Sequence, residues 1–271
     1  MKTRLFTRKR ALVSSVAMLL VAIIALGTAT FAWFTKSSSA TAEGINVSTV
    51  KASDLKIANS QSGWVDSFSY AFTDILKPAS SANGTAWFTA EAAAKNAHTA
   101  SAANATDISS DVTDWSVKTV NGTGTATDTN KNGYIFKEQL NIQNAGEATI
   151  KNVKIKFSLN EAAVNTGKKY LRVAVVPVDT KGGTPTTFAN CVYAAGADTA
   201  DAFTSTAKAT TTVTAKSGAD ATVAVGDLAE DAERYYNIYA WFEGQDEDCY
   251  DLNAGNSISG LTFSVVGEAS N

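Results

Sequence analysis

The segment TIKNVKIKFSL (149–159) sets Val153, Ile155, Phe157 and Leu159 two residues apart with Lys154, Lys156 and Ser158 between them, and this constrains the fold more than any other feature. A two-residue repeat puts alternate side chains on opposite faces of an extended strand, one face buried and the other wet. The same period recurs in INVSTV (45–50), LKIA (55–58), WSVKTV (115–120), YIFKEQLNI (134–142), YLRVAVVPVD (170–179), ATVAVGDL (221–228), YYNIYAWFEG (235–244) and LTFSVVG (261–267). Gly, Asn, Asp and Ser clusters separate these runs, and links such as NAGEA (144–148) read as tight hairpin connections. The expectation is an all-β chain folded as an antiparallel β-sandwich. TAWFTAEAAAKNAHTASAANA (85–105) departs from it, because its alanines favour a short helical insertion. Residues 195–220, rich in Ala, Thr, Ser and Gly, read as a loop or a weakly paired edge.

The amino-terminus follows different rules. MKTRLFTRKR is basic, and residues 11–34 carry no charge. A basic start followed by a long apolar run is the pattern of a secretory signal. The run is also long enough to span a bilayer as a retained anchor, since spanning takes roughly 20 apolar residues. Small residues favour cleavage: Thr30 and Ala32 occupy the −3 and −1 positions, with Trp33 as the new amino-terminus. The expected organisation is a signal over 1–32, a flexible polar segment over 33–44, and a sandwich domain over 45–271. Either way, the bulk of the chain lies outside the cytoplasm. Five of the 23 basic residues fall within 1–32, so the remaining 239 residues hold 18 basic against 26 acidic residues, a net of −8. An acidic surface disfavours a nucleic-acid partner.

Chemistry-bearing residues are sparse. The single histidine, His98, excludes a two-histidine metal site within one chain, and no nucleophile-elbow sequence surrounds it. No phosphate-binding glycine motif is present. No catalytic residue is assigned, no enzyme activity is expected, and no cofactor is required. Calcium stays open as a weak alternative at two places. Asp128, Asn130, Asn132 and Gly133 match the start of a calcium loop, but Gln139 stands where a bidentate carboxylate is needed, so a turn is the better reading. Asp246, Glu247, Asp248 and Asp251, with Glu243, could hold a hard cation or form a solvated loop, and the loop is favoured. Cys191 and Cys249 are the only cysteines; export suggests one disulfide, and two free thiols are the alternative. Trp64, Trp87, Trp115 and Trp241 either stack sugars or pack in the core, packing being the commoner fate.

The basic start, the apolar run ending GTATFAWFT, and the small-residue tail leading into GINVST resemble the TasA–camelysin family of Gram-positive bacteria. YIFKEQLNIQNAGEATIKNVKIKFSL and IYAWFEGQDEDC also resemble strands of exported relatives in that group. The resemblance implies a jelly-roll-like sandwich, export through a SipW-type signal peptidase, and polymerisation into fibres of the biofilm matrix. It implies a freed amino-terminal segment that adds as a strand to the neighbouring copy. The sequence suits that role, since alternating Ile45 and Val47 offer side chains for pockets on one face. The contact is with the chain itself, head to tail, and any membrane contact is through an uncleaved signal. In an isolated copy, residues 33–50 are expected to be loosely held or folded against their own sheet edge. A cell-surface adhesin or carbohydrate-binding module is the alternative, and a secreted peptidase ranks below both.

Overall fold

The computed structural model describes residues 18, 45–50, 54–60, 63–71, 76–89, 106–112, 118–119, 134–159, 170–195, 199–203, 210–246, 249, 258 and 261–269. The chain divides into two units, Met1–Thr41 and Ala42–Asn271. Of the first, only Met18 is described; it is helical and exposed. Thr30, Ala32 and Trp33, the expected cleavage residues, lie outside the described residues.

The second unit is an all-β sandwich. Its strands are β1 (Ile45–Val50), β2 (Leu55–Ala58), β3 (Ser67–Ala71), β4 (Phe88–Thr89), β5 (Thr106–Asp107), β6 (Lys118–Thr119), β7 (Ile135–Asn144) and β8 (Ile150–Phe157). They continue as β9 (Leu171–Val178), β10 (Val192–Ala194), β11 (Thr199–Phe203), β12 (Thr210–Thr214), β13 (Lys216–Ser217), β14 (Ala221–Leu228), β15 (Glu233–Phe242) and β16 (Thr262–Ala269). Sheet A has the order β14-β8-β16-β1-β3-β6, and sheet B the order β13-β10-β9-β15-β7-β2. Their ladders are antiparallel except β1 with β16 and β10 with β13. Two ribbons, β11–β12 and β4–β5, stand apart. The β11–β12 ribbon and the edge strand β13 occupy part of the stretch that reads in sequence as a loop or a weakly paired edge.

Sheet A follows the alternation literally. On β8, Val153, Ile155 and Phe157 are buried while Lys154 and Lys156 are exposed. The inward residues meet Leu171, Val173, Val175, Ile238, Ala240 and Phe242 of sheet B in one core between the sheets. Sheet B is different because its outer face is covered too. Ala174, Val176, Tyr239 and Trp241 point away from the inter-sheet core and form a second one with Trp87, Ile108, Phe188 and Val213. Hence β9 and β15 read as nearly continuous apolar runs, the pattern of strands buried on both faces.

The expected helix is absent where its start is described: Phe88 and Thr89 are extended, and Trp87 is buried in the outer core. Residues 90–105 lie outside the described residues. NAGEA is not a hairpin either, since β7 belongs to sheet B and β8 to sheet A. The chain crosses between sheets there, and buried Asn144 holds the crossing. Its Nδ2 donates to Ala148 O at 2.7 Å and to Leu228 O and Ala229 O at 3.0 Å, while its Oδ1 accepts from Gly146 N at 3.0 Å. One side chain thus pins the β7–β8 and β14–β15 links together.

Removing a buried amide strands its partners without replacement, so Asn144→Ala is expected to cost about 2–4 kcal/mol. Urea unfolding checks this, with the exposed Lys154→Ala as a control expected to shift stability by under about 0.5 kcal/mol.

Candidate functional site: an inner first strand and a buried carboxylate network

Ile45–Val50 forms the first strand of the sandwich. It runs parallel to β16, with Val47 opposite Phe263 and Ser48 opposite Ser264, and antiparallel to β3, with Val47 opposite Phe68. Ile45 and Val47 are 0% and 1% exposed and pack in the inter-sheet core. This corrects the expectation of a loosely held or edge segment: β1 is an inner strand with neighbours on both sides. The physical reason is that β16 and β3 would each present an open row of N–H and C=O groups without it. Just beyond, Thr49 N and Thr49 Oγ1 donate to Asp66 O at 3.0 and 3.2 Å, and the Asp66 carboxylate pairs with Lys56 at 2.6 Å.

The described members of the acidic run after β15, Glu243 and Asp246, are turned inward onto protein partners. Glu243 is fully buried at the end of β15, accepting from Ser80 Oγ, from Trp241 Nε1 at 3.1 Å and from Gln245 N at 3.2 Å. Asp246 takes Arg172 Nη2 at 2.8 Å, in an ion pair whose side chains are 0% and 7% exposed. Among the described residues, no three His, Cys, Asp or Glu side chains are grouped to hold a metal. Glu247, Asp248 and Asp251 lie outside the described residues. The Glu243 network also fastens the 79–80 segment to the sheet, with Ala79 N donating to Phe242 O at 2.9 Å and Gly244 N to Ala79 O at 3.0 Å. Burial pushes the Glu243 carboxyl up to about 7, against the opposing pull of Ser80, the Arg172 charge, Trp241 and the Gln245 N–H.

A second carboxyl behaves alike. Glu138 shares its face of β7 with the core residues Phe136 and Leu140, and its Oε1 accepts from Ser60 N at 3.0 Å and Gln139 N at 2.7 Å. Burial pushes it up to about 7 as well, offset in part by those N–H donors, the Ser60 hydroxyl and the Lys181 charge.

Cys191 and Cys249 are both free. Cys249 is buried in the inter-sheet core, whereas Cys191 is half-buried against the outer core on the far face of sheet B. The sheet between them keeps the thiols from the pairing that export suggested. Burial, with the charges of Glu243 and Asp246, pushes the Cys249 thiol far up, so it is inert as a nucleophile. Trp87 and Trp241 are each 1% exposed and pack edge to face at 5.4 Å, which removes them as sugar-stacking surfaces; Trp64 remains 38% exposed.

Sequence reasoning missed Arg172, Glu138 and the inward turn of Glu243. A signal for Arg172 was present: a lone charge within the apolar run YLRVAVVPVD demands a buried partner once both faces of that strand are covered. A scan of the sequence against protein-family models finds no match, and neither does a search of the curated proteins.

The two raised carboxyls make stability depend on pH. Between their ordinary value of 4.5 and about 7, the folded chain holds protons that the unfolded chain has released. Their contribution is therefore complete below about 4.5 and is lost as pH rises through about 7. The thermal midpoint is expected to fall from about pH 5 to about pH 8, and Glu243→Gln to flatten that slope by roughly half. Calorimetric scans across that range check both.

Proposed function

We propose that the chain is an exported, non-enzymatic structural subunit of extracellular fibres of the biofilm-matrix kind, assembling head to tail by exchange of its first strand. The observation that carries this reading is the placement of β1. It is the first strand of the sandwich, it begins just after the boundary at Thr41, and it fills a slot flanked by β16 and β3. A copy that supplies β1 to its neighbour makes the same ladders there that it makes to itself, so exchange changes connectivity and not contacts. Each copy then donates at one place and accepts at another. Such a contact is heterologous and does not close, which yields a filament. Residues 33–44 extend at most about 40 Å, comparable with the length of a ten-residue strand, about 33 Å. That reach suits passage to an adjacent copy.

The amino-terminal features support export and the family likeness described above. Self-association then takes place outside the cell after removal of residues 1–32, with the signal peptidase as a transient partner. The buried positions of Trp87 and Trp241 favour this reading over an adhesin built on exposed tryptophans.

An intramolecular lock tests the exchange. Ser48 and Ser264 are register partners across the parallel pair, at a separation suited to a disulfide. In a Cys191→Ser background, Ser48→Cys with Ser264→Cys, oxidised as a monomer, is expected to stay monomeric in light scattering and to form filaments only after reduction. Filaments from the oxidised monomer at the wild-type rate would contradict strand exchange. Val47→Pro, which removes a ladder donor from an inner strand, is expected to weaken folding and assembly together.

A further inference from the structure

The outer face of sheet A sorts its charges along the strands β14, β8 and β16. Two cross-strand rows carry the bases. Thr222, Lys156 and Ser264 stand in register, and one step further along so do Ala224, Lys154 and Val266. Both lysines are exposed, as are Thr222 and Ala224, and the residues flanking the lysines in each row are small. Among the described residues, neither lysine is in an ion pair.

Beyond the Lys154 row the same face turns acidic. Asn152, exposed on β8, donates from its backbone N to Asp227 Oδ1 at 2.9 Å and from Nδ2 to Glu268 Oε2 at 3.1 Å. The backbone is bent to make this arrangement. Asn152 sits at φ +54°, and at this level the β8 ladders to β14 and β16 both shift register. Bulges of this kind re-aim side chains. Here they bring one carboxylate from each neighbouring strand to Asn152, and both acids stay exposed. Lys151, the register partner of Glu268, is exposed and forms no ion pair with it. Two carboxylates are thus held in place and open to a cation from outside the chain.

Four residues separate the Asn152 level from the Lys156 level, about 13 Å along the strand, with Lys154 midway. A face with bases at one level and acids at the other complements itself when a second copy is turned end for end. A two-fold axis along the Lys154 row sets Lys156 of each copy over the Asp227 and Glu268 carboxylates of the other. The two Lys154 side chains then lean away from the axis, one two-residue step from the same carboxylates. Four strands about 4.8 Å apart and about eight residues long, β14, β8, β16 and β1, present roughly 500 Å² per copy, or about 1,000 Å² for the pair. That lies at the lower limit for a specific interface and suits a weak, concentration-dependent dimer.

We propose that the outer face of sheet A docks the same face of a second copy, stacked antiparallel, with Lys156 of each chain against Asp227 and Glu268 of the other. The contact is isologous and closes at two copies. It does not rest on strand exchange, which leaves β14, β8 and β16 in their own chain. Copies already joined in a filament could still pair side by side through it, and repetition would strengthen the contact.

Sedimentation velocity of the filament-free protein at about 50 mM and about 500 mM salt tests the assignment, because exposed charge pairs are screened across that range. A monomer–dimer equilibrium is expected at low salt, weakened about ten-fold or more at high salt. Lys154→Glu with Lys156→Glu is expected to weaken the dimer about a hundred-fold or more, and so is Asp227→Lys with Glu268→Lys. An equal mixture of these two variants is expected to form a dimer of one copy each, since every facing pair is then opposite in sign. If the acid-side variant fails to fold, carbodiimide cross-linking of isotopically mixed wild-type copies takes its place, with Lys156 of one chain joined to Asp227 or Glu268 of the other. Protein that stays monomeric at low salt, or a dimer that survives the lysine reversal, would overturn the proposal. So would folded variants that fail to pair with each other, or cross-links that miss these residues. Filaments formed by either variant would leave strand exchange standing, so the two readings fail separately.

Discussion

Sheet B carries apolar side chains on both faces, and most of the second unit is arranged to cover them. The inner face is covered by sheet A, whose own outer face is wet and carries the β8 lysines. The outer face is covered by segments with little regular structure: the 79–88 stretch, the turn at 109–112, and the 188–192 link. These are stapled by polar groups that have to be buried to reach the sheet. Arg172 with Asp246, Glu243 with Ser80 and Trp241, and Asn237 with Gly183 all lie on that outer side. Burying them without partners would cost several kcal/mol each.

How much of this was readable beforehand depended on how many faces of each strand are covered. β8 has one wet face, so its lysines mark the period and its place in a sandwich was plain. β9 and β15 were read with the same period, but two cores claim their alternate residues, and Tyr239 and Trp241 look no different in sequence from Ile238 and Ala240. NAGEA read as a hairpin because its composition suits any turn; nothing local tells that β7 and β8 belong to different sheets. Asn144 is legible only from the three carbonyls it gathers, two of them more than eighty residues away. The alanines around 90 favoured a helix by propensity, yet Trp87 packs in the outer core and Phe88, buried beside it in sequence, is extended. The acidic run was visible, but whether Glu243 faced water or protein turned on Ser80, far away in sequence.

The first strand shows the same limit in a functional setting. Its alternation was clear, and so was its position behind a polar segment. Its neighbours were not, because pairing with β16 joins opposite ends of the sandwich sequence. An inner strand is not a spare part. A copy that gives it away exposes two open edges and a stripe of core residues until another β1 arrives. Under the proposed exchange, the polymer would be favoured when copies are concentrated and the monomer when they are dilute, with the same ladders in both.

The most direct measurement distinguishes whose β1 fills a slot. Two chains are prepared in a Cys191→Ser background, one with Ser48→Cys and the other with Ser264→Cys, then mixed in equal amounts, assembled and oxidised. Strand exchange predicts disulfide-linked heterodimers joining position 48 of one chain to position 264 of the other, found by mass spectrometry in the filament fraction and absent from dilute monomer. Filaments that form without this cross-link would mean that each β1 stays at home, and that assembly uses another surface.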